Sequence, residues 1–219
     1  MDRAGRAWRY GDHVDTDVII PARYLTTTDE DELARHALED LDPSFAGSVR
    51  PGDVIVAGDN FGCGSSREHA AICLKGAGVA GVVAGSFARI FFRNAINTGL
   101  PVATCPAAVA ATDDGDIVTI DMVNGVVVNE TKGLRFRAEP LPPFLTEIVA
   151  AGGLVGWVRS RKGPAQDRRR DRGEAAASMA RTTTEAYRGV RRAEEDAVSG
   201  VAGRWDCPTY PAAGPNGAA

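Results

Sequence analysis

GDNFGCGSSREHA, residues 58–70, is the stretch on which the organisation of the chain depends. Immediately before it, residues 53–57 (DVIVA) form a short apolar run suited to a buried strand. Immediately after it, residues 67–75 (REHAAICLK) carry helical spacing, with Ala70, Ala71 and Leu74 on one side and Gly76 and Gly78 near the end. Between them stand Gly58, Gly62 and Gly64, followed by the pair Ser65-Ser66. Glycine permits positive φ and lets a backbone come close to a ligand. The first N–H groups of a helix lack intrahelical partners, and the macrodipole adds partial positive charge there. Gly62, Cys63 and Gly64 therefore read as an anion-binding turn, for a carboxylate or a phosphate, leading into Ser65, Ser66 and the cationic Arg67.

Ser65 and Glu68 also fit a capping box, in which Ser65 caps the helix and Glu68 reaches back to it, and that arrangement needs no ligand. Nucleotide binding has little support. The lysine of G-x-x-x-x-G-K-[ST] is missing, and Arg67 holds the place of the third glycine in G-x-G-x-x-G. The complete string, however, resembles the signature of the small subunits of the isopropylmalate dehydratases, relatives of aconitase and homoaconitase. Residues 8–25, WRYGDHVDTDVIIPARYL, are similar to the N-terminal region of the same family. The resemblance extends over residues 8–162 and leaves the remainder of the chain unaccounted for.

The resemblance implies a single swivelling β/β/α domain like the C-terminal domain of aconitase. It implies a hydro-lyase that interconverts hydroxy-acid isomers by removing water and returning it at the neighbouring carbon. In split enzymes of this kind a [4Fe–4S] cluster sits on a separate large subunit, the expected partner. Carried onto this sequence, Ser65 would be the base and Arg67 would hold a carboxylate of a small hydroxy-diacid, with Ser66 assisting. Tyr24, Leu25, Thr26 and Thr27 would meet the variable side group of the substrate. No arginine directly follows Tyr24-Leu25, so a branched alkyl group suits the loop better than a third carboxylate, and 2-isopropylmalate is the favoured substrate. A homoaconitase- or dimethylmalate-type small subunit, and a non-catalytic anion-binding module, are the alternatives.

Composition agrees with an ordinary globular chain. At 219 residues it can bury a sizeable core, and a net charge of −4 gives no support to nucleic-acid binding. No apolar run is long enough to cross a bilayer, and MDRAGRAWRYGDH does not read as a signal peptide, so a cytoplasmic location is expected. Cys63, Cys73, Cys105 and Cys207 form no C-x-x-C, and His13, His36 and His69 form no ligand-spaced pair, so no metal or cluster site is expected in this chain. Cys63 would be a reactive thiol if a helix N-terminus lowered its pKa, or else a small residue tolerated in a tight turn. Asp12, Asp15 and Asp17 lack the glycine and distal glutamate of a calcium loop and read as turn and capping residues.

Working outward, residues 18–20 before Pro21 read as a buried strand. Residues 28–41 read as a helix, with its acidic residues at the positive end and Leu33, Ala37, Leu38 and Leu41 as an apolar stripe. Residues 79–84 read as a strand. Ser86 then caps a helix over 87–97, with Phe87, Ile90, Phe91 and Ala95 inward and Gly99 as its stop. Residues 102–104 make another strand, and the alternation argues for an α/β domain. Residues 117–120 and 126–129 flank Asn124-Gly125, a hairpin signal; 134–138 adds a strand, and 144–151 forms a last helix ended by Gly152-Gly153. These elements make one domain over residues 1–163. From Pro164 the composition shifts to the solvated run DRRRDR (167–172) and few large apolar residues. Residues 164–219 therefore read as a mostly disordered tail, with at most a weak helix over 175–198.

Overall fold

In the computed structural model, which describes residues 4–161, seven strands make one sheet. They are β1 (Gly5–Arg9), β2 (Val54–Ala57), β3 (Gly81–Ala84), β4 (Val102–Thr104), β5 (Ile117–Asp121), β6 (Val126–Asn129) and β7 (Leu134–Arg137), in the order β4-β3-β2-β1-β5-β6-β7. The four strands β4 to β1 run parallel, with Ile55 opposite Val82 and Trp8 opposite Ile55. The other half is antiparallel, β1 pairing β5 and then β6 and β7 following as a meander. The helices are α1 (Thr16–Ile19), α2 (Glu30–Ala34), α3 (Phe45–Ser48), α4 (Glu68–Gly76), α5 (Arg89–Thr98), α6 (Pro106–Ala111), α7 (Pro143–Ala150) and α8 (Leu154–Arg161).

The central parallel strands β2 (VIVA) and β3 (GVVA) are continuous apolar runs because both of their faces are covered. The two-residue side-chain period divides them between two cores. Ile55, Ala57, Val82 and Ala84 join Ala70, Leu74 and Phe91 from α4 and α5 on one face. Val54, Val56, Val83 and Ala103 join Val109 of α6 and Val118 and Val127 of the antiparallel strands on the other. Burying each of the larger side chains is worth about 1.5–3 kcal/mol. The result is the α/β class read from the sequence, with α4 following the glycine turn as expected.

Several local expectations give way. Residues 18–20 are not a strand. Asp15 accepts a bond from the Asp17 N–H and caps α1, which lets Ile19 and Ile20 both be buried, where strand alternation would expose one. The helix expected over 28–41 stops after Ala34, although Asp29 caps it. Leu38 turns into the left-handed region (φ 57°) and donates its N–H to the Ile19 carbonyl at 2.9 Å, burying Leu33, Ala37 and Leu38 together. Ser86 caps nothing: α5 starts at Arg89, and the Ser86 hydroxyl instead accepts from the Asn60 N–H at 2.8 Å. Phe91 and Ala95 face inward, but Ile90 is 46% exposed.

Gly99 (φ 81°) ends α5 as read, and residues 122–125 join β5 to β6 at the Asn124-Gly125 signal. The helix expected last, α7, is followed by α8, whose residues include none fully buried and so carry no clear apolar stripe. The short, alanine-rich α6 was also not anticipated. No helix among the described residues is long and apolar enough to cross a membrane. The expected tail over 164–219, with its weak helix, its arginine run and Cys207, lies outside the described residues.

Candidate active site

Residues 58–64 leave the end of β2 and are clasped from two sides. On one side, the Asp59 N–H donates to Asp12 Oδ1 (2.7 Å), the Gly62 N–H to the Val14 carbonyl (2.8 Å) and the Thr16 N–H to the Cys63 carbonyl (2.8 Å). On the other, the Phe61 N–H donates to the Ser86 carbonyl (3.0 Å) and the Ala88 N–H to that of Phe61 (2.9 Å). Gly62 and Gly64 adopt φ of 76° and 91°. Space as well as conformation demands glycine there: a Cβ would stand 2.2 Å from the Phe91 ring at Gly62 and 2.5 Å from the Asp15 carboxylate at Gly64. Asp12 and Asp15 thus hold the turn and cap α1, in line with the roles read for them; Asp17 does something else.

Ser65 and Ser66 stand exposed just beyond the clasp. Thr16 Oγ1 donates to the Ser65 carbonyl at 3.0 Å, which holds the backbone, while no acceptor among the described residues meets the N–H group of either serine. The capping box does not form. α4 begins at Glu68, with Arg67 in the cap position and no side-chain capping bond. The bonds to Thr16 and Val14 hold residues 62–65 out of helical geometry, and the Ser65 hydroxyl is left without a partner among the described residues. Arg67 is drawn in, its side chain only 13% exposed. One guanidinium nitrogen bonds the Asp17 carboxylate and lies 3.5 Å from the Ile20 carbonyl; the rest of the fork meets no acceptor among the described residues.

The surroundings of Cys63 do not favour its thiolate. Its partial burial, and then the Asp15 carboxylate beside it, push its pKa above the ordinary thiol range. No group of three or more His, Cys, Asp or Glu side chains among the described residues is arranged to hold a metal ion.

The 22–27 segment lies elsewhere in the hydrogen-bond network. Tyr24 stacks on His36 with ring centroids 3.7 Å apart and donates to Glu39 Oε1 at 2.8 Å. Leu25 is half-buried against the core, Thr26 is exposed, and Thr27 Oγ1 accepts from the Asp29 N–H at 3.1 Å. A cleft of about 400 Å³ is lined by Met122, Pro140, Leu141 and Thr146, and another of about 800 Å³ by Arg6, Ser48, Arg50 and Asp53. Neither includes a residue of the serine turn.

A profile of the aconitase C-terminal domain matches residues 13–106, which span both the clasp and the turn. The 3-isopropylmalate dehydratase small subunit of Thermodesulfovibrio yellowstonii is 55% identical over 161 residues, 74% of this chain and 96% of that protein. The chain belongs to the 3-isopropylmalate dehydratase small-subunit family. The crystal structure of 3-isopropylmalate dehydratase from Methanocaldococcus jannaschii superposes with a TM-score of 0.70 at 49% identity, covering 74% of this chain and 96% of that one. A protein named 2,3-dimethylmalate dehydratase small subunit, from Eubacterium barkeri, is also 55% identical, over 160 residues (73% of this chain, 98% of that protein). Overall identity within the small-subunit family therefore does not separate these substrates.

Of the residues singled out in the sequence, Gly62, Cys63, Gly64, Ser65, Ser66 and Arg67 form one contiguous turn, buried at Gly62 and exposed from Gly64 to Ser66. Tyr24, Leu25, Thr26 and Thr27 connect to that turn through residues 17–20, where Arg67 is anchored, and make no direct hydrogen bond to it among the described residues. Asp17, read from the sequence as a turn or capping residue, pairs with Arg67 instead. It lies 50 positions before its partner Arg67, a separation at which no local pattern signals a pair.

Proposed function

We propose that this chain is the small subunit of a 3-isopropylmalate dehydratase that isomerises 2-isopropylmalate to 3-isopropylmalate in leucine synthesis, paired with an iron–sulfur large subunit. The observation that carries the reading is the turn that ends in the exposed Ser65 and Ser66 and the largely buried Arg67, where the serine hydroxyls and N–H groups and part of the guanidinium fork meet no partner among the described residues. Arg67 takes a substrate carboxylate, for which a planar fork is suited because it donates to two oxygens at once. Ser65 removes the proton from the carbon beside the hydroxyl-bearing carbon and returns a proton on rehydration. A serine hydroxyl is a feeble base unless its alkoxide is stabilised; the unpaired N–H groups of the turn, the start of α4 and Arg67 supply that field once water is excluded. Ser66 assists Arg67 at the carboxylate.

A [4Fe–4S] cluster on the large subunit would supply the Lewis acid for the departing hydroxyl. The open position of the serines, outside the clefts described, agrees with a site completed by that subunit. Tyr24, Leu25, Thr26 and Thr27 read the alkyl side group, and the working unit is residues 1–163, in the cytoplasm. The likeness to the Eubacterium barkeri protein keeps 2,3-dimethylmalate as the second reading.

The test is co-expression with the large subunit and assay on 2-isopropylmalate, 2,3-dimethylmalate and a homoaconitate-type acid. Turnover should require both chains, with kcat/KM highest for 2-isopropylmalate. Turnover by the isolated small subunit would overturn the two-chain mechanism, and a higher kcat/KM for either other acid would reassign the substrate. Thr26→Arg, which places a cation at the side-group loop, should lower kcat/KM for 2-isopropylmalate relative to the homoaconitate-type acid. Equal changes would mean that the loop does not read the side group.

A further inference from the structure

The three-residue turn Ala22–Tyr24, which starts the side-group loop, contains no fully buried residue. Tyr24 and Leu25 pack partly on the core, and a set of side chains converging on Glu39 adds polar ties. Glu39 Oε1 accepts from the Tyr24 hydroxyl at 2.8 Å and from Arg23, while Oε2 lies 2.7 Å from His36 Nδ1. His36 stacks flat on the Tyr24 ring, 8° from parallel, and Arg23 lies over the same ring, 4.9 Å from its centroid. Arg23 also donates to both oxygens of Asp40, at 3.1 and 2.7 Å. Partial burial would raise the Glu39 carboxyl, but the bonds from His36, Tyr24 and Arg23 outweigh it and hold the group below its usual range.

The far side of this cluster is fixed. Ala37 and Leu38 are fully buried, and the Leu38 N–H bonds the Ile19 carbonyl at 2.9 Å. The next carbonyl, that of Ile20, faces Arg67. Residues 19–20 thus form a common post, with the carboxylate anchor Arg67 on one side and the Glu39 cluster on the other. We infer that Glu39, with His36 and Arg23, is a positioning group that holds the Tyr24–Thr27 loop at a set distance from Arg67, and so sets the size of side group the site accepts. Glu39 does not touch substrate; it acts through Tyr24. This rests on the reading of the loop given above.

The assembled enzyme carrying Glu39→Ala, and separately Glu39→Gln, tests it by amide hydrogen exchange and by kinetics on 2-isopropylmalate and on 2-methylmalate, which lacks the branched group. Glu39→Ala should speed exchange across residues 22–27 about tenfold, the equivalent of one charge-assisted hydrogen bond, and leave the sheet unchanged. KM for 2-isopropylmalate should rise severalfold without a matching fall in kcat, and that for 2-methylmalate should rise less. Glu39→Gln keeps an acceptor for Tyr24 and should recover part of both effects. Wild-type exchange at 22–27 in both variants overturns the inference whatever the loop reads. Faster exchange with an unchanged ratio of the two substrates, while Thr26→Arg does alter selectivity, overturns it and spares the loop reading. If neither Glu39→Ala nor Thr26→Arg alters selectivity, both fall.

Discussion

At position 65 the serine hydroxyl bonds nothing among the described residues and so has no structural work to do there. Ser65→Ala should therefore abolish turnover of the two-chain enzyme while changing the unfolding free energy by less than about 0.5 kcal/mol, as surface substitutions away from caps do. A kcat within a few-fold of wild type would remove the base role from Ser65. Glycine 64 is the opposite case, conformation and space both being used. Gly64→Ala meets a left-handed φ and the Asp15 carboxylate at 2.5 Å, whereas at Gly52, also at positive φ, a Cβ meets nothing within 4 Å. In urea titrations Gly52→Ala should lose only the left-handed penalty of about 1–2 kcal/mol, and Gly64→Ala should lose more. Equal losses would mean that the Asp15 contact relaxes freely. For Cys63, burial and then the Asp15 charge raise the thiol pKa. Alkylation at neutral pH should thus be slower than for a free thiol and accelerate only above the ordinary thiol range; rapid labelling at neutral pH would contradict it.

At the scale of elements, the short α1 carries more than its length suggests. Its Asp15 cap also packs against Gly64, and its Asp17 holds Arg67, so one turn of helix connects the strand-end turn to that guanidinium. Asp17→Asn should keep the fold, since it is Asp15 that caps the helix, but should free the Arg67 side chain and raise KM more than it lowers kcat. A kcat loss with unchanged KM would place Asp17 in the chemistry instead. The elements best read from sequence were β2, β3, α4 and the β5–β6 hairpin, whose periods and turn residues are local. Those misread, α1 and the end of α2, were shaped by partners far along the chain: Leu38 leaves helical geometry to bond Ile19.

For the whole molecule, acid should be destabilising in a defined direction. Asp116 is held below the usual carboxylate range by the Asp113 N–H first, then Asn129 and Lys132, and Glu39 and Asp42 are also lowered by their hydrogen bonds despite partial burial. A carboxylate lowered in the folded state stabilises above its unfolded pKa, and that contribution is lost as pH falls through the folded value. Tyr10 is shifted upward, chiefly by burial and then by the Asp42 charge, so its contribution is present below the ordinary tyrosine range and lost as pH rises beyond it. Urea midpoints should form a plateau at neutral pH that falls below about pH 4 and again above about pH 10; a midpoint that rises on acidification would be contrary. Removing residues 164–219 should leave unfolding and pairing with the large subunit nearly unchanged, and a large drop in melting temperature would show that the tail contributes. What the sequence by itself determined was the α/β class, the glycine turn and the family string. Buried parallel strands need continuous apolar runs, and left-handed turns need glycine, so both leave local marks. Only the tertiary structure decided that Ser65 is not a helix cap, that Ser86 braces Asn60, and that Asp17 pairs with Arg67 across 50 residues. Those partners are selected when the turn after β2 packs between residues 12–16 and 85–88, and a hydrogen bond formed by that packing has no spacing rule along the chain.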